Sequence, residues 1–448
     1  MRQFIIGQSK HEFTTHSGLA LIGQCIRRYT DLKRRANIVA PMRHGIESGD
    51  VVASYIGLLC QGKTDYEAIE NFRDNRFFRE ALGINDVPSE GTLRQRFDDC
   101  AKLLLPEVAE ATVDFLIKSR APVSPLSTGH VGLDIDLTTL DNSNSKKEGV
   151  SYTYRGYNGY GAMGAYLGIE GWNIGMELRE GSDHSQQGFP SFLVRVIDSA
   201  RRITSQQLLI RLDSAHDAAE NLSLLYARRE TTNHIIKRNW RRRDTMPLVA
   251  QAESEAQWTY PRPGKRVGVF SVMEDVTWEK QIYHVRSVIR VTERTIDKKG
   301  QLQLPAYEVD GWWTSLDSKG YDDQTVIALY NDHGTSEQYH SELKTDMDVE
   351  RLPSGKLDSN ALVLQLAAIA YNLLRYQGQR GLMGDVMPMR NPLKRRRIKT
   401  VIQELIYLAS MVVDSGRRLK LLFSRDCPAY RVFKELYQGL CGLSPAAS

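Results

Sequence analysis

Several carboxylates stand where they could hold a divalent cation. Asp134 and Asp136 fall in His130-Val131-Gly132-Leu133-Asp134-Ile135-Asp136-Leu137-Thr138. Strict alternation predicts a strand there, with Val131, Leu133, Ile135 and Leu137 on one face and Gly132, Asp134, Asp136 and Thr138 on the other. Two acids on a strand face otherwise destined for a core are costly unless a cation neutralises them; a face open to water is the bland alternative. Asp213 ends the short apolar stretch Leu208-Leu209-Ile210-Arg211-Leu212. Strand ends are where ligand-binding groups gather in α/β sheets, although a lone Asp there also suits a helix N-cap.

Glu337 lies in a segment that reads as helix from about Asp323 through Lys344. Relative to Tyr330, His333 is three residues on, Glu337 seven and Lys344 fourteen, offsets that keep the four side chains on one helical face. An acid with a hydrogen-bond donor on one side and a cation on the other suits a phosphodiester: a metal grips the reacting phosphate and the cations grip its neighbours. Glu342 is a nearby alternative to Glu337, but its helical angle faces elsewhere.

On these residues the chain resembles the DDE-type transposases of bacterial insertion sequences, whose signature helix reads Y-x-x-R-x-x-x-E-x-x-x-x-x-x-K. Tyr330, Glu337 and Lys344 match with that spacing, and His333 replaces the arginine. Asp136-Leu137-Thr138 fits the family's D-x-T and favours Asp136 over Asp134 as first acid; Asp213 fits the second. His333 would offer phosphate a neutral donor, or a tighter one when protonated, without arginine's fixed charge and fork, so His333→Arg is expected to be tolerated or to improve binding of DNA ends.

The resemblance implies an RNase H-like α/β catalytic core interrupted by a β-rich insertion. It implies two Mg²⁺ ions, with Mn²⁺ as substitute, bridging Asp136, Asp213 and Glu337 to the scissile phosphate, and no covalent protein–DNA intermediate. The expected partners are double-stranded DNA, as terminal inverted repeats and as target, and a second copy of the chain in a homodimer; neither a membrane nor a small-molecule substrate is expected. In relatives a hairpin forms on the flanking DNA and a flipped base stacks on tryptophan, which makes Trp312, Trp313 and Trp240 candidates here.

The elements that must position these groups are legible in outline. Residues 1–125 read as a helical DNA-binding region, with Ser89 an N-cap and Arg94 and Arg96 suited either to a recognition helix or to an ordinary surface helix. Residues 126–237 read as the first part of the core, 238–320 as a β-rich insertion, 321–380 as the second part with the signature helix, and 381–448 as a basic helical tail. Basic clusters at Lys33-Arg34-Arg35, at Lys237, Arg238, Arg241, Arg242 and Arg243, and at Lys394, Arg395, Arg396 and Arg397 favour a phosphate-rich partner, which the net charge of +5 alone would not.

Composition excludes other classes. A hydrophobic share of 41% and a charged share of 25% are those of a globular chain rather than a disordered one. The five cysteines form no C-x-x-C pair, which argues against a zinc site or a disulfide framework. The N-terminal stretch is too short and polar for a signal peptide, so a cytoplasmic protein, nucleoid-associated when bound to DNA, is expected. The competing readings are another RNase H-like nuclease, or a catalytically inactive, transposase-derived regulator that only binds DNA.

Overall fold

The computed structural model describes residues 3–241, 243–297, 300–384, 393–416 and 418–442. A short strand, β1 (Glu12–Thr14), precedes helices α1 (Leu19–Tyr29), α2 (Leu32–Val39), α3 (Ser48–Leu59), α4 (Arg76–Leu82) and α5 (Glu90–Ser119). Ser89 caps α5 as expected, its hydroxyl accepting the Thr92 N–H at 3.1 Å.

The central sheet follows: β2 (Val131–Asp141), β3 (Ser151–Tyr152), β4 (Asn158–Leu167), β5 (Trp172–Glu180), then α6 (Phe189–Ile203), β6 (Leu208–Leu212), α7 (Ala219–Tyr226) and β7 (Thr232–Lys237). β4 pairs antiparallel with β2, from which a longer connection carrying β3 leads to it, and with β5, joined to it by a tight turn. β2, β6 and β7 run parallel, and each of the later two is reached through a helical crossover. The parallel register sets Ile135 beside Leu212, so Asp136 in the middle of β2 lies next to Asp213, just past the end of β6.

The insertion comprises α8 (Met246–Glu255) and strands β8 (Gln257–Arg262), β9 (Lys265–Trp278), β10 (Gln281–Asp297) and β11 (Gly300–Thr314). Trp312, Trp313 and Thr314 pair with Lys237, Ile236 and Ile235, so the inserted strands extend the central sheet across the open edge of β7. Among the described residues this makes one ten-stranded sheet.

The signature segment is helical but not one helix. α9 (Asp323–Asn331) passes into a 3₁₀ turn at Asp332–Gly334, then α10 (Thr335–Ser341), then a π-helical turn at Glu342–Asp346. α11 (Leu357–Gly381) is buried along most of its length. By length and composition it could cross a membrane, yet 83% of its most apolar window lies inside the protein. The tail differs from expectation. α12 (Ile398–Val401) and α13 (Tyr430–Cys441) flank a hairpin, β12 (Ser410–Ser415) and β13 (Arg418–Phe423), whose outer edge takes up β1. The period-two pattern of Arg418 to Phe423, alternately exposed and half-buried, is a strand pattern that the helical stripe just before it obscured.

One apolar cluster runs from Leu19 in α1 through the sheet and α11 to Leu440 in α13. The helices of residues 1–125 therefore share their core with the catalytic sheet.

Candidate active site

A recess of about 800 Å³ opens where β2, β6 and the signature segment meet, and Asp136, Asp213 and Glu337 all line it. With them are Tyr330, His333, His340, Lys344 and Arg155. Three elements distant in sequence thus bring the three predicted acids to one opening.

The structure separates the two candidates for the first acid. Asp134 is buried, and both its oxygens are taken by Arg211, Nε to Oδ1 at 2.6 Å and Nη2 to Oδ2 at 2.7 Å. The Nδ1 of His333 adds a contact to Oδ1 at 3.0 Å. Burial by itself would raise this carboxyl, but Arg211 and His333 outweigh it and hold the pKa below the ordinary range. Asp134 is a neutralised structural acid. Asp136, two residues on, has no such partner: Oδ1 accepts the Leu137 N–H at 2.8 Å, and no arginine or lysine pairs with the carboxylate among the described residues.

Asp136 and Asp213 are both harder to ionise than an ordinary carboxyl. Burial raises Asp136, and the charges of Glu337 and Asp134 add to that. Asp213 is pushed up to about 6, first by desolvation in the recess and next by Asp136. Its Oδ1 also accepts the Ala215 N–H at 3.1 Å, so the N-cap role and the site role coexist. Glu342, the rejected alternative to Glu337, is buried between Arg375 and Arg395 and belongs to the core.

His333 does not present its ring as a free phosphate donor. It is buried and turned onto Asp134, whose hydrogen bond and charge hold its pKa above the ordinary value despite desolvation. An arginine there would place a second fixed positive charge beside Arg211 on the same buried carboxylate and turned away from the recess, which removes the basis for expecting His333→Arg to improve DNA binding. Lys344 reaches the recess but donates to the Thr139 carbonyl at 2.8 Å and pairs with Glu350 at 3.0 Å. Sequence reasoning passed over Arg211, which sits in a run that reads as apolar, and His340, which falls at an unspecified position of the signature between Glu337 and Lys344. Arg155, an exposed cation beside Tyr154 on the rim, gave no signal either.

The family profile described as "Transposase DDE domain group 1" matches residues 9–445. The chain belongs to this family of DDE transposases. No curated protein matches it in a sequence search. Among solved structures, a chain of the cryo-EM structure of piggyBac transposase synaptic complex with hairpin DNA is 11% identical, with a TM-score of 0.39, covering 98% of this chain and 89% of that one. DDE transposases act on DNA and in general use divalent metal ions.

The transposase site fits such ions. Its donors are hard carboxylate oxygens, and the charge of Asp136 hinders the ionisation of Asp213, a repulsion that a cation between them would relieve. Among the described residues no group of three His, Cys, Asp or Glu side chains is placed to hold a metal ion as it stands, so the three acids would have to draw together around one, with water or phosphate oxygens completing the coordination.

The expected DNA contacts divide by exposure. Trp312 and Trp313 are buried in the sheet, 1% and 4% exposed, and offer no face for stacking a base. Arg238 is buried between the rings of Trp240 and Trp313, at 4.1 and 3.9 Å, and is paired with Glu274. Arg395 is engaged by Glu342 and Gln338, and Arg397 by Asp346. Arg96 donates to the Ile46 carbonyl at 3.1 Å, and the Arg396 Nε to the Leu382 carbonyl at 3.0 Å. Exposure remains for Arg94, although Glu90 pairs with it, and for Lys394 and Arg241; Lys237 is partly exposed and paired with Asp310 at 3.1 Å. Arg242 lies outside the described residues.

Proposed function

We propose that this chain is the cut-and-paste transposase of an insertion sequence, and that Asp136, Asp213 and Glu337 are the ligands of its catalytic metal ions. The observation that carries the reading is the recess shared by these three acids, none of which is paired with an arginine or lysine among the described residues, while the neighbouring Asp134 is. Held by these acids, two Mg²⁺ ions, or Mn²⁺ in their place, would supply Lewis-acid activation of water or of a terminal 3′-hydroxyl and stabilisation of the departing oxygen. Asp136 would hold the ions from the middle of β2, Asp213 from just past the end of β6, and Glu337 from α10. Tyr330 on the wall and Arg155 on the rim hold the phosphates either side of the scissile one. The exposed cations Arg94, Lys237, Arg241 and Lys394 bind more distant phosphates of terminal inverted repeats and target DNA. Two ends handled together call for a homodimer on DNA, acting in the cytoplasm at the nucleoid.

The test is incubation of the protein with linear DNA carrying its own element ends, with and without Mg²⁺, scored for end cleavage, hairpins and joined products. Cleavage without joining would identify a nuclease of another kind. DNA binding with no metal-dependent chemistry, unchanged in Asp213→Asn, would identify a regulator and refute the proposal.

A further inference from the structure

His340 lies one helical turn beyond Glu337 and is buried against the floor of the recess. Its ring stands edge-on to Tyr166, with centroids 5.2 Å apart and an interplanar angle of 86°. The Tyr166 hydroxyl lies 3.4 Å from Nδ1. The other nitrogen, Nε2, is buried without a hydrogen-bond partner among the described residues and sits 3.8 Å from Oδ2 of Asp136. A buried, unsatisfied ring nitrogen is costly unless it serves a purpose.

The sheet makes room for this ring. Gly164 is the residue across from Asp136 in the β2–β4 register. A Cβ at that position would come within 2.9 Å of the His340 ring and 3.0 Å of the Tyr166 ring. The histidine therefore lies in a cradle that any larger residue would fill, directly beside the first acid.

We propose that Tyr166 and His340 form a positioning pair for Asp136. The Tyr166 O–H donates to Nδ1, which leaves the proton on Nε2, and that N–H faces Oδ2, which it would restrain once a bound cation draws the two together, while the Leu137 N–H restrains Oδ1. Held at both oxygens, the carboxylate keeps its remaining lone pairs turned into the recess. The inference rests on the reading of Asp136 as a metal ligand. It makes His340 a positioning residue, since it acts through the acid. The distance of 3.8 Å is beyond a hydrogen bond, and closure onto a bound cation would shorten it.

The experiment measures Mn²⁺ affinity of the full chain, from the electron paramagnetic resonance signal of free Mn²⁺, alongside Mg²⁺-dependent end cleavage and melting temperature. His340→Leu removes the donor and should weaken Mn²⁺ binding about tenfold or more, the usual effect of losing a partner of a metal ligand. His340→Gln restores an N–H donor of similar reach and should recover most of that affinity. Tyr166→Phe frees the tautomer and should cost less than His340→Leu but more than nothing. A merely structural histidine would lower the melting temperature in the leucine and glutamine variants alike and leave Mn²⁺ affinity unchanged. That outcome, or failure of glutamine to rescue, overturns the proposal. If His340→Leu does not fold, Tyr166→Phe decides, and wild-type Mn²⁺ affinity there refutes the pair. Asp136→Asn separates the two levels: if it too leaves Mn²⁺ binding and cleavage intact, the reading of the site fails, and if it abolishes both while the His340 variants do not, only the pairing fails.

Discussion

Replacing Asp213 by asparagine should make the metal-free protein more stable at neutral pH while abolishing catalysis. The folded protein raises this carboxyl from an ordinary 3.8 to about 6. A rise of that size corresponds to ~3 kcal/mol for a fully desolvated group, at about 1.4 kcal/mol per pH unit. The side chain is 41% exposed, so solvent screens much of this and about 1 kcal/mol is the reasonable expectation. The sign follows from which state holds the proton more tightly. With the folded pKa above the unfolded one, stability is fully present below pH 3.8, falls as the pH rises towards about 6, and is flat above that. Asparagine has no charge to ionise, so the variant lacks this loss. It also keeps the N-cap to Ala215, because asparagine serves there as well as aspartate. Chemical denaturation in EDTA from pH 4 to 8 is the assay. The variant should gain about 1 kcal/mol on wild type as the pH passes from 4 to 7, and Mg²⁺ should stabilise wild type at pH 8 but not the variant. A variant less stable than wild type at pH 8 without metal, or a difference that does not change with pH, would refute the reasoning.

Other outcomes follow from the same geometry. Arg211→Met strands Asp134 in the core and should cost about 3–5 kcal/mol in urea unfolding, whereas Arg211→Met with Asp134→Leu should recover a large part of it; equal stability of the single and double variants would contradict the pairing. Glu337→Gln should leave the unfolding midpoint within about 0.5 kcal/mol of wild type and abolish end cleavage. Glu342→Gln should lower stability by several kcal/mol by leaving Arg375 and Arg395 unpaired, a contrast that unfolding curves of the two variants would reveal. Trp312→Ala should destabilise the fold by about 3–5 kcal/mol, with DNA affinity per folded molecule unchanged in a filter-binding or anisotropy titration.

The fold was legible wherever local periodicity had one solution. The alternation of Val131 to Thr138, the apolar run of Leu208 to Leu212 and the dense apolar helix from Ala361 to Leu374 each became the expected element. Periodicity could not tell a separate inserted subdomain from strands that continue an existing sheet, because that depends on which edge is free. The pairing of Trp312–Thr314 with β7 buried the two tryptophans that had looked available for DNA. The signature spacing assumed one continuous α-helix; a 3₁₀ turn and a π turn break it, and yet Tyr330, Glu337 and Lys344 still reach one recess.

The sequence alone determined the residue types of the site: a strand with two acids, a third acid at a strand end, and a helical acid with a family spacing. Alternation alone could not rank Asp134 against Asp136, since both point from one strand face; only the D-x-T resemblance favoured Asp136. Which of the two is neutralised was decided by tertiary structure. Arg211, a lone cation in an apolar strand, lies beside Asp134 because β2 and β6 run parallel in register, and it neutralises that acid and not the next. Partners seventy-seven residues apart are a property of sheet register, which local pattern does not encode. The same holds for His333, whose type was visible and whose direction was not. Its ring turns inward because a buried carboxylate with a spare lone pair attracts it more than open solvent does.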